Sequence, residues 1–240
     1  AMGVVTFTMV GSRIPGPDGR TERLVGMLRE NTEQARAMQR LTYLATRDEL
    51  TGHLNRNALR EELSLAIESA RAENRACAFL VSSIDRLAMI NDGFGFDVGE
   101  EVIVAVGERL ARSLRASDII GRIAGNKFGV ILRNCSQDEV AIVGGRLRET
   151  VRGCVIDTHA GQVSATCSVG AVWLPQGAAT SQEAMQRAAK ALERARASGR
   201  NGFSVYERSA LLESTRLRQM AVADEVVLAL KEDRIHLAYQ

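Results

Sequence analysis

Two short apolar runs, 118–123 and 128–132, flank the segment Ala124-Gly125-Asn126-Lys127. Short strands joined by a small glycine-containing turn read as a β-hairpin. Glycine at such a turn allows positive φ or a close backbone approach to a ligand. The elements around the hairpin set the class. Residues 76–84 read as a buried strand. A helix that Asn55 can cap precedes it and runs to about residue 72. From 99 or 100 to 114 the chain is amphipathic, with Val102, Val106 and Leu110 on one face. Ser136 with Glu139, and Thr180 with Glu183, form capping boxes for helices that end near Val151 and at Gly199. Residues 155–174 hold strand material with a turn at Ala160-Gly161, and 201–206 is a last short strand. This mixed order, with hairpins, predicts an α+β sheet flanked by helices.

At 240 residues with 45% hydrophobic content, the chain is long enough for a sizeable core. A net charge of +2 gives no reason to expect nucleic acid or an acidic membrane surface as partner. Apolar runs such as 102–106 are far too short for a membrane span. Cys77, Cys135, Cys154 and Cys167 are scattered, as expected of free thiols in a reducing cytoplasm. His53, His159 and His236 are equally scattered, and no metal site is expected from them.

Residues 4–10 are strand-like, 11–19 hold a turn with Pro15, Pro17 and Asp18-Gly19, and 23–29 are again apolar. This resembles the final hairpin of a PAS sensor domain, with Glu30-Asn31-Thr32-Glu33 at its exit; the alternative is a terminal hairpin of no known type. Residues 32–45 are helical, with Met38, Leu41 and Ala45 at 3–4 spacing. They suit a signalling coiled coil or, because Asn31 and Gln34 break the seam, a helix packed on its own domain.

Ala124-Gly125-Asn126-Lys127-Phe128 resembles the Gly-Gly-Asp/Glu-Glu-Phe signature of diguanylate cyclases, the GGDEF family, matching at Gly125 and Phe128. Asp48-Glu49-Leu50-Thr51-Gly52-His53-Leu54-Asn55-Arg56 resembles the Asp-x-Leu-Thr-Gly-Leu-x-Asn-Arg segment of the same family, differing at His53. The resemblance implies a ferredoxin-like, cyclase-palm fold over 46–206. It also implies a PAS–GGDEF–EAL organisation. Residues 1–30 would then be the sensor hairpin and 31–45 a signalling linker. Residues 207–240 would be a helix and the first strand of an EAL phosphodiesterase domain, where Leu237-Ala238-Tyr239-Gln240 resembles that strand. The chain is expected to be a piece of a longer protein, cut just inside its last domain.

The resemblance assigns roles. Family members hold two metal ions and GTP with carboxylates, the natural ligands of Mg²⁺. Ser83 and Asn126 stand at those two carboxylate positions, and Lys127 adds a positive charge beside them. No catalytic residue, no metal and no cofactor is therefore expected. Asn91 aligns with a guanine-contacting asparagine, and Glu100 with a guanine-accepting aspartate. Arg196 and Arg200 match phosphate-contacting positions. The plainer readings are a cap or turn role for Asn91 and a solvated helix charge for Arg196. Arg115-Ala-Ser-Asp118 matches the Arg-x-x-Asp inhibitory motif that binds cyclic di-GMP. Its plainer reading is a cation at a helix C-terminus and a strand start.

The expected function is regulatory: relaying a sensor signal to a downstream EAL domain, by binding cyclic di-GMP or GTP. A homodimer through sensor and linker helices goes with it. The alternatives are an active diguanylate cyclase and a dimerisation spacer that binds no nucleotide.

Overall fold

Cys77–Ile84 is buried at every position. A strand covered on both faces must be apolar almost throughout, and here only Ser82 and Ser83, near its C-terminal end, depart from that rule. The computed structural model describes residues 7–15, 22–30, 32–153 and 155–207. In chain order the elements are β1 (Phe7–Pro15), β2 (Glu22–Glu30), α1 (Thr32–Thr46), α2 (Arg56–Ala72), β3 (Cys77–Ile84), α3 (Leu87–Phe94) and α4 (Phe96–Arg112). Then follow β4 (Ile119–Ala124), β5 (Lys127–Leu132), α5 (Gln137–Arg152), β6 (Ile156–Thr158), β7 (Gly161–Val163), β8 (Cys167–Leu174), α6 (Ser181–Ala197) and β9 (Phe203–Val205).

The central sheet has the order β4-β5-β3-β8-β9. Its pairings are antiparallel except β8 with β9. Alternation along β3 splits the core. Ala78, Leu80 and Ile84 face α3, α4 and α5 through Val102, Val106, Leu110, Val143 and Leu147. Phe79 and Val81 face α2 and α6 through Leu59, Leu63, Ala188 and Leu192. The result is the expected α+β sheet with helices on both faces.

Several boundaries differ from the sequence reading. Helix α3 was not expected; it contains Asn91, Asp92 and Gly93, all poor helix formers. Helix α4 starts at Phe96 rather than at 99 or 100, and ends at Arg112. Gly99 is inside it because Asn91 presses against the helix there: a Cβ on Gly99 would lie 1.9 Å from Asn91 Oδ1. The capping box at Ser136 and Glu139 is complete. At Thr180 only half of one forms: Thr180 Oγ1 accepts from Glu183 N–H, while the Glu183 carboxylate accepts from Ala179 N–H.

Strands β1 and β2 pair from Phe7↔Glu30 to Pro15↔Glu22, so the ladder takes in Gly11–Pro15, which the sequence reading placed in a turn. Helix α1 leaves Leu41 63% and Leu44 50% exposed, which argues against the reading of a helix packed on its own domain. The expected helix and strand of 207–240 lie outside the described residues, apart from Glu207. Among the described residues no helix is long and apolar enough to cross a membrane.

Candidate functional site

The C-terminal end of β3 carries Ser83 opposite Lys127 on β5 and opposite Ser168 on β8. Ser83 is fully buried, and its hydroxyl accepts a hydrogen bond from Arg196 Nη2 on α6. On the hairpin, Asn126 Nδ2 donates to the Ile84 carbonyl at 2.7 Å, and Ile84 N–H donates to the Asn126 carbonyl at 3.0 Å. The side chains of Ser83 and Asn126 are therefore both engaged within the chain. Arg196 is a quarter exposed and also meets Glu193 at 3.4 Å. Its contacts with Ser83 and Glu193 mean that it is not merely a solvated charge.

The sequence reading missed Asp85, the carboxylate closest in sequence to this point. It is 5% exposed, and three donors converge on it. Oδ1 accepts from Ser168 Oγ at 2.8 Å; Oδ2 accepts from Thr166 Oγ1 at 2.9 Å and from Asn201 N–H at 3.0 Å. Its partners lie more than eighty positions away in sequence, so no local pattern could have shown them. Asp85 forms one wall of an open recess of about 570 Å³, with Arg86, Thr166, Arg200 and Asn201 around it and Met89 and Phe94 on one side. Arg86, Arg200 and Asn201 all have positive φ, at 54°, 61° and 42°. Strained backbone of this kind is costly and clusters where a site over-determines it.

Asn91 of α3 packs against Gly99 of α4, the residue before Glu100. Asn91 sits inside α3, not at a cap, and its Oδ1 is buried without a hydrogen-bond partner. Glu100 is exposed on α4, in a shallow acidic recess with Leu50, Asp97, Glu101, Val104 and Glu108.

Arg115 and Asp118 do come together. Asp118 Oδ2 accepts from Arg115 N–H at 3.1 Å, and Asp118 N–H donates to the Arg115 carbonyl at 3.0 Å. The Arg115 guanidinium reaches the Glu139 carboxylate at 3.2 Å. Glu139 in turn caps α5, accepting from Ser136 N–H at 2.8 Å. That bond first, and Arg115 second, hold the Glu139 carboxyl below its ordinary range. Arg115 lies beyond the end of α4 rather than in its last turn.

The segment before α2 is locked to the hairpin. Arg122 Nη1 donates to Asp48 at 3.1 Å, Arg122 Nε donates to the Gly125 carbonyl at 2.9 Å, and Arg122 N–H donates to the Leu54 carbonyl at 2.7 Å. Thr51 donates to Asp48 through both its N–H and its hydroxyl. Burial works against ionisation of Asp48, but the Thr51 and Arg122 bonds together outweigh it and hold its carboxyl below the usual value.

Among the described residues, no group of His, Cys, Asp and Glu is arranged to hold a metal ion. Cys77, Cys135 and Cys167 are free and buried, and burial pushes their thiols up to about 11, 12 and 11. They are inert at neutral pH.

Residues 45–202 match the family described as diguanylate cyclase, GGDEF domain. The chain is 31% identical over 200 residues to the cyclic di-GMP phosphodiesterase NbdA of Pseudomonas aeruginosa, covering 83% of this chain and 25% of that protein. It is 30% identical over 240 residues to the bifunctional diguanylate cyclase/cyclic di-GMP phosphodiesterase MucR of the same organism, covering 100% of this chain and 34% of that protein. It thus spans a quarter to a third of these relatives. In structure it is similar to the GGDEF domain of DgcB from Caulobacter crescentus, solved in complex with c-di-GMP, with a TM-score of 0.64 and 26% identity, covering 68% of this chain and 94% of that one. The sheet order, the helices on both faces and these matches together make this a cyclase-palm fold, and the chain belongs to the GGDEF domain family.

Proposed function

We propose that this chain is a non-catalytic, regulatory GGDEF domain that takes part in cyclic di-GMP signalling by binding a guanine nucleotide rather than making one. The observation that carries the reading is the state of the two positions where the family places carboxylates. Ser83 offers a hydroxyl already bonded to Arg196, and Asn126 offers an amide already donating to the Ile84 carbonyl. Two-metal catalysis of an in-line displacement needs negative oxygen ligands on both ions. A hydroxyl and an amide supply no charge, and the carboxylate nearby in sequence, Asp85, has three donors of its own. These residues do not fit Mg²⁺. The cations Arg196 and Arg200 suit the phosphates of a nucleotide without a metal.

In the same reading, β1 and β2 are the end of a PAS-type sensor, α1 relays its signal and makes a homodimer, and an EAL phosphodiesterase domain follows. NbdA and MucR, named for phosphodiesterase activity, support that organisation. The rival reading, an active cyclase, is favoured by the name of MucR.

Incubating the dimer with GTP and Mg²⁺ or Mn²⁺ decides between them. The expected outcome is no cyclic di-GMP above a no-enzyme control; enzyme-dependent product would overturn the proposal. Calorimetric titration with GTP, with and without EDTA, should show weak binding that EDTA does not abolish. Titration with cyclic di-GMP separates the regulatory reading from a spacer that binds nothing.

A further inference from the structure

His53 is the one position at which the segment 48–56 departs from the family pattern, which has leucine there. Its ring meets the edge of Phe128, with ring centroids 6.3 Å apart and planes at 79°. It lies against Gly107 of α4 so tightly that a Cβ there would come within 3.1 Å of Nε2. The residue is half-buried, and its Nε2 atom is buried without a well-aligned hydrogen bond, the Gly107 backbone being the polar group that acts on the ring. The backbone of the same residue is part of the lock: the His53 carbonyl accepts from Asp48 N–H at 2.8 Å, and the next carbonyl, that of Leu54, accepts from Arg122 N–H. A neutral imidazole can fill this half-buried slot; the imidazolium there carries a desolvation cost that the Gly107 backbone offsets only in part.

We propose that His53 makes the attachment of the segment between α1 and α2 to the signature hairpin acid-labile, so that protonation of this one ring drives it out from under Phe128 and loosens the lock. The surroundings agree. Burial is the largest influence on the ring and pushes its pKa below the ordinary 6.5. Arg47, at the end of α1, acts the same way. Asp48 on the segment itself, Glu108 on α4 and the Gly107 backbone oppose it without winning. Phe128, the contact from β5, is uncharged. For a histidine with a depressed folded value, the bound proton favours the open state. The lock is therefore full above about pH 6.5 and weakens as pH falls below it. Because α1 enters the domain through this segment, the device would set how firmly the incoming helix is coupled to the hairpin.

The test is amide hydrogen exchange on the full chain at about pH 7.5 and about pH 5.5, corrected for intrinsic rates. In wild type, the Asp48 and Arg122 amides should lose protection at the lower pH while the amides of β3 do not. His53→Leu should abolish that loss. Equal loss in both proteins, or none in wild type, overturns the proposal. NMR titration of the His53 ring provides an independent arm should the variant fold poorly. The ring must titrate below a free histidine and in step with the Asp48 and Arg122 amides; titration at or above the free value sinks the idea.

Discussion

Arg115 and Glu139 are held at 3.2 Å in a pair that leaves the arginine 60% and the glutamate 36% exposed. Exposed pairs of this kind contribute little to stability and are readily exchanged for a better partner. Arg115 and Asp118 share a turn through the Arg115 N–H and the Asp118 carboxylate, while the guanidinium points to Glu139. If cyclic di-GMP binds here, Arg115→Ala and Asp118→Ala should each weaken it about ten- to a hundred-fold, from the worth of one charge-assisted bond. Asn91→Ala should not, since that amide lies under Gly99 of α4. Glu139→Gln is the sharper probe. Glutamine preserves the capping box with Ser136 but releases Arg115, so binding should tighten modestly, about two- to five-fold. Calorimetry on the four variants checks this; tight binding indifferent to both Arg115 and Asp118 would refute the assignment.

At the scale of elements, β8 and α6 show how close packing fixes the site. A Cβ on Gly170 would lie 2.1 Å from the Leu192 backbone nitrogen and 2.4 Å from the Ala188 carbonyl. Backbone cannot yield as a side-chain tip can. Gly170→Ala should cost at least about 2 kcal/mol, lowering the thermal midpoint by about 4–8 °C for a domain of this size; an unchanged midpoint would contradict this packing. Because α6 carries Arg196 to Ser83, the variant should also weaken any nucleotide binding that depends on that arginine. The same elements explain what the sequence reveals. Alternating apolar residues, the Ser136–Glu139 box and the glycine turn at 125 are local signals, and each marks its element. Helix α3 is not legible, because Asn91, Asp92 and Gly93 are held helical by packing against α4 rather than by propensity. Asp85 is invisible for a related reason: what fixes it in the recess is contact with Thr166, Ser168 and Asn201. That Ser83 and Asn126 stand at those two positions is legible by resemblance, whereas the bonds they make to Arg196 and Ile84 are not.

For the whole molecule, the link between α1 and the sheet passes through Asp48 and Arg122, which are 23% and 15% exposed. Three donors converge on the Asp48 carboxylate, and Arg122 carries the connection on to the Gly125 carbonyl at the turn. Asp48→Asn would leave a partly buried guanidinium facing a neutral amide, at a cost of about 2 kcal/mol for a bond to a charged group. The pH dependence follows from the depressed carboxyl. Unfolded, Asp48 has its ordinary value of 3.8; folded, it lies lower. The bound proton thus favours the unfolded chain, so the stabilisation is full above about pH 5 and is lost as pH falls below 3.8 through the folded value. Urea unfolding of the chain with Asp48 and of its Asp48→Asn variant should show a constant gap from neutral pH down to about pH 5, closing at lower pH. Because Asp48 also acts on the His53 ring, both proteins carry His53→Leu, which removes that coupling from the difference. A gap that stays open below the folded value, or never appears, would show that Asp48 does not hold the segment to the hairpin.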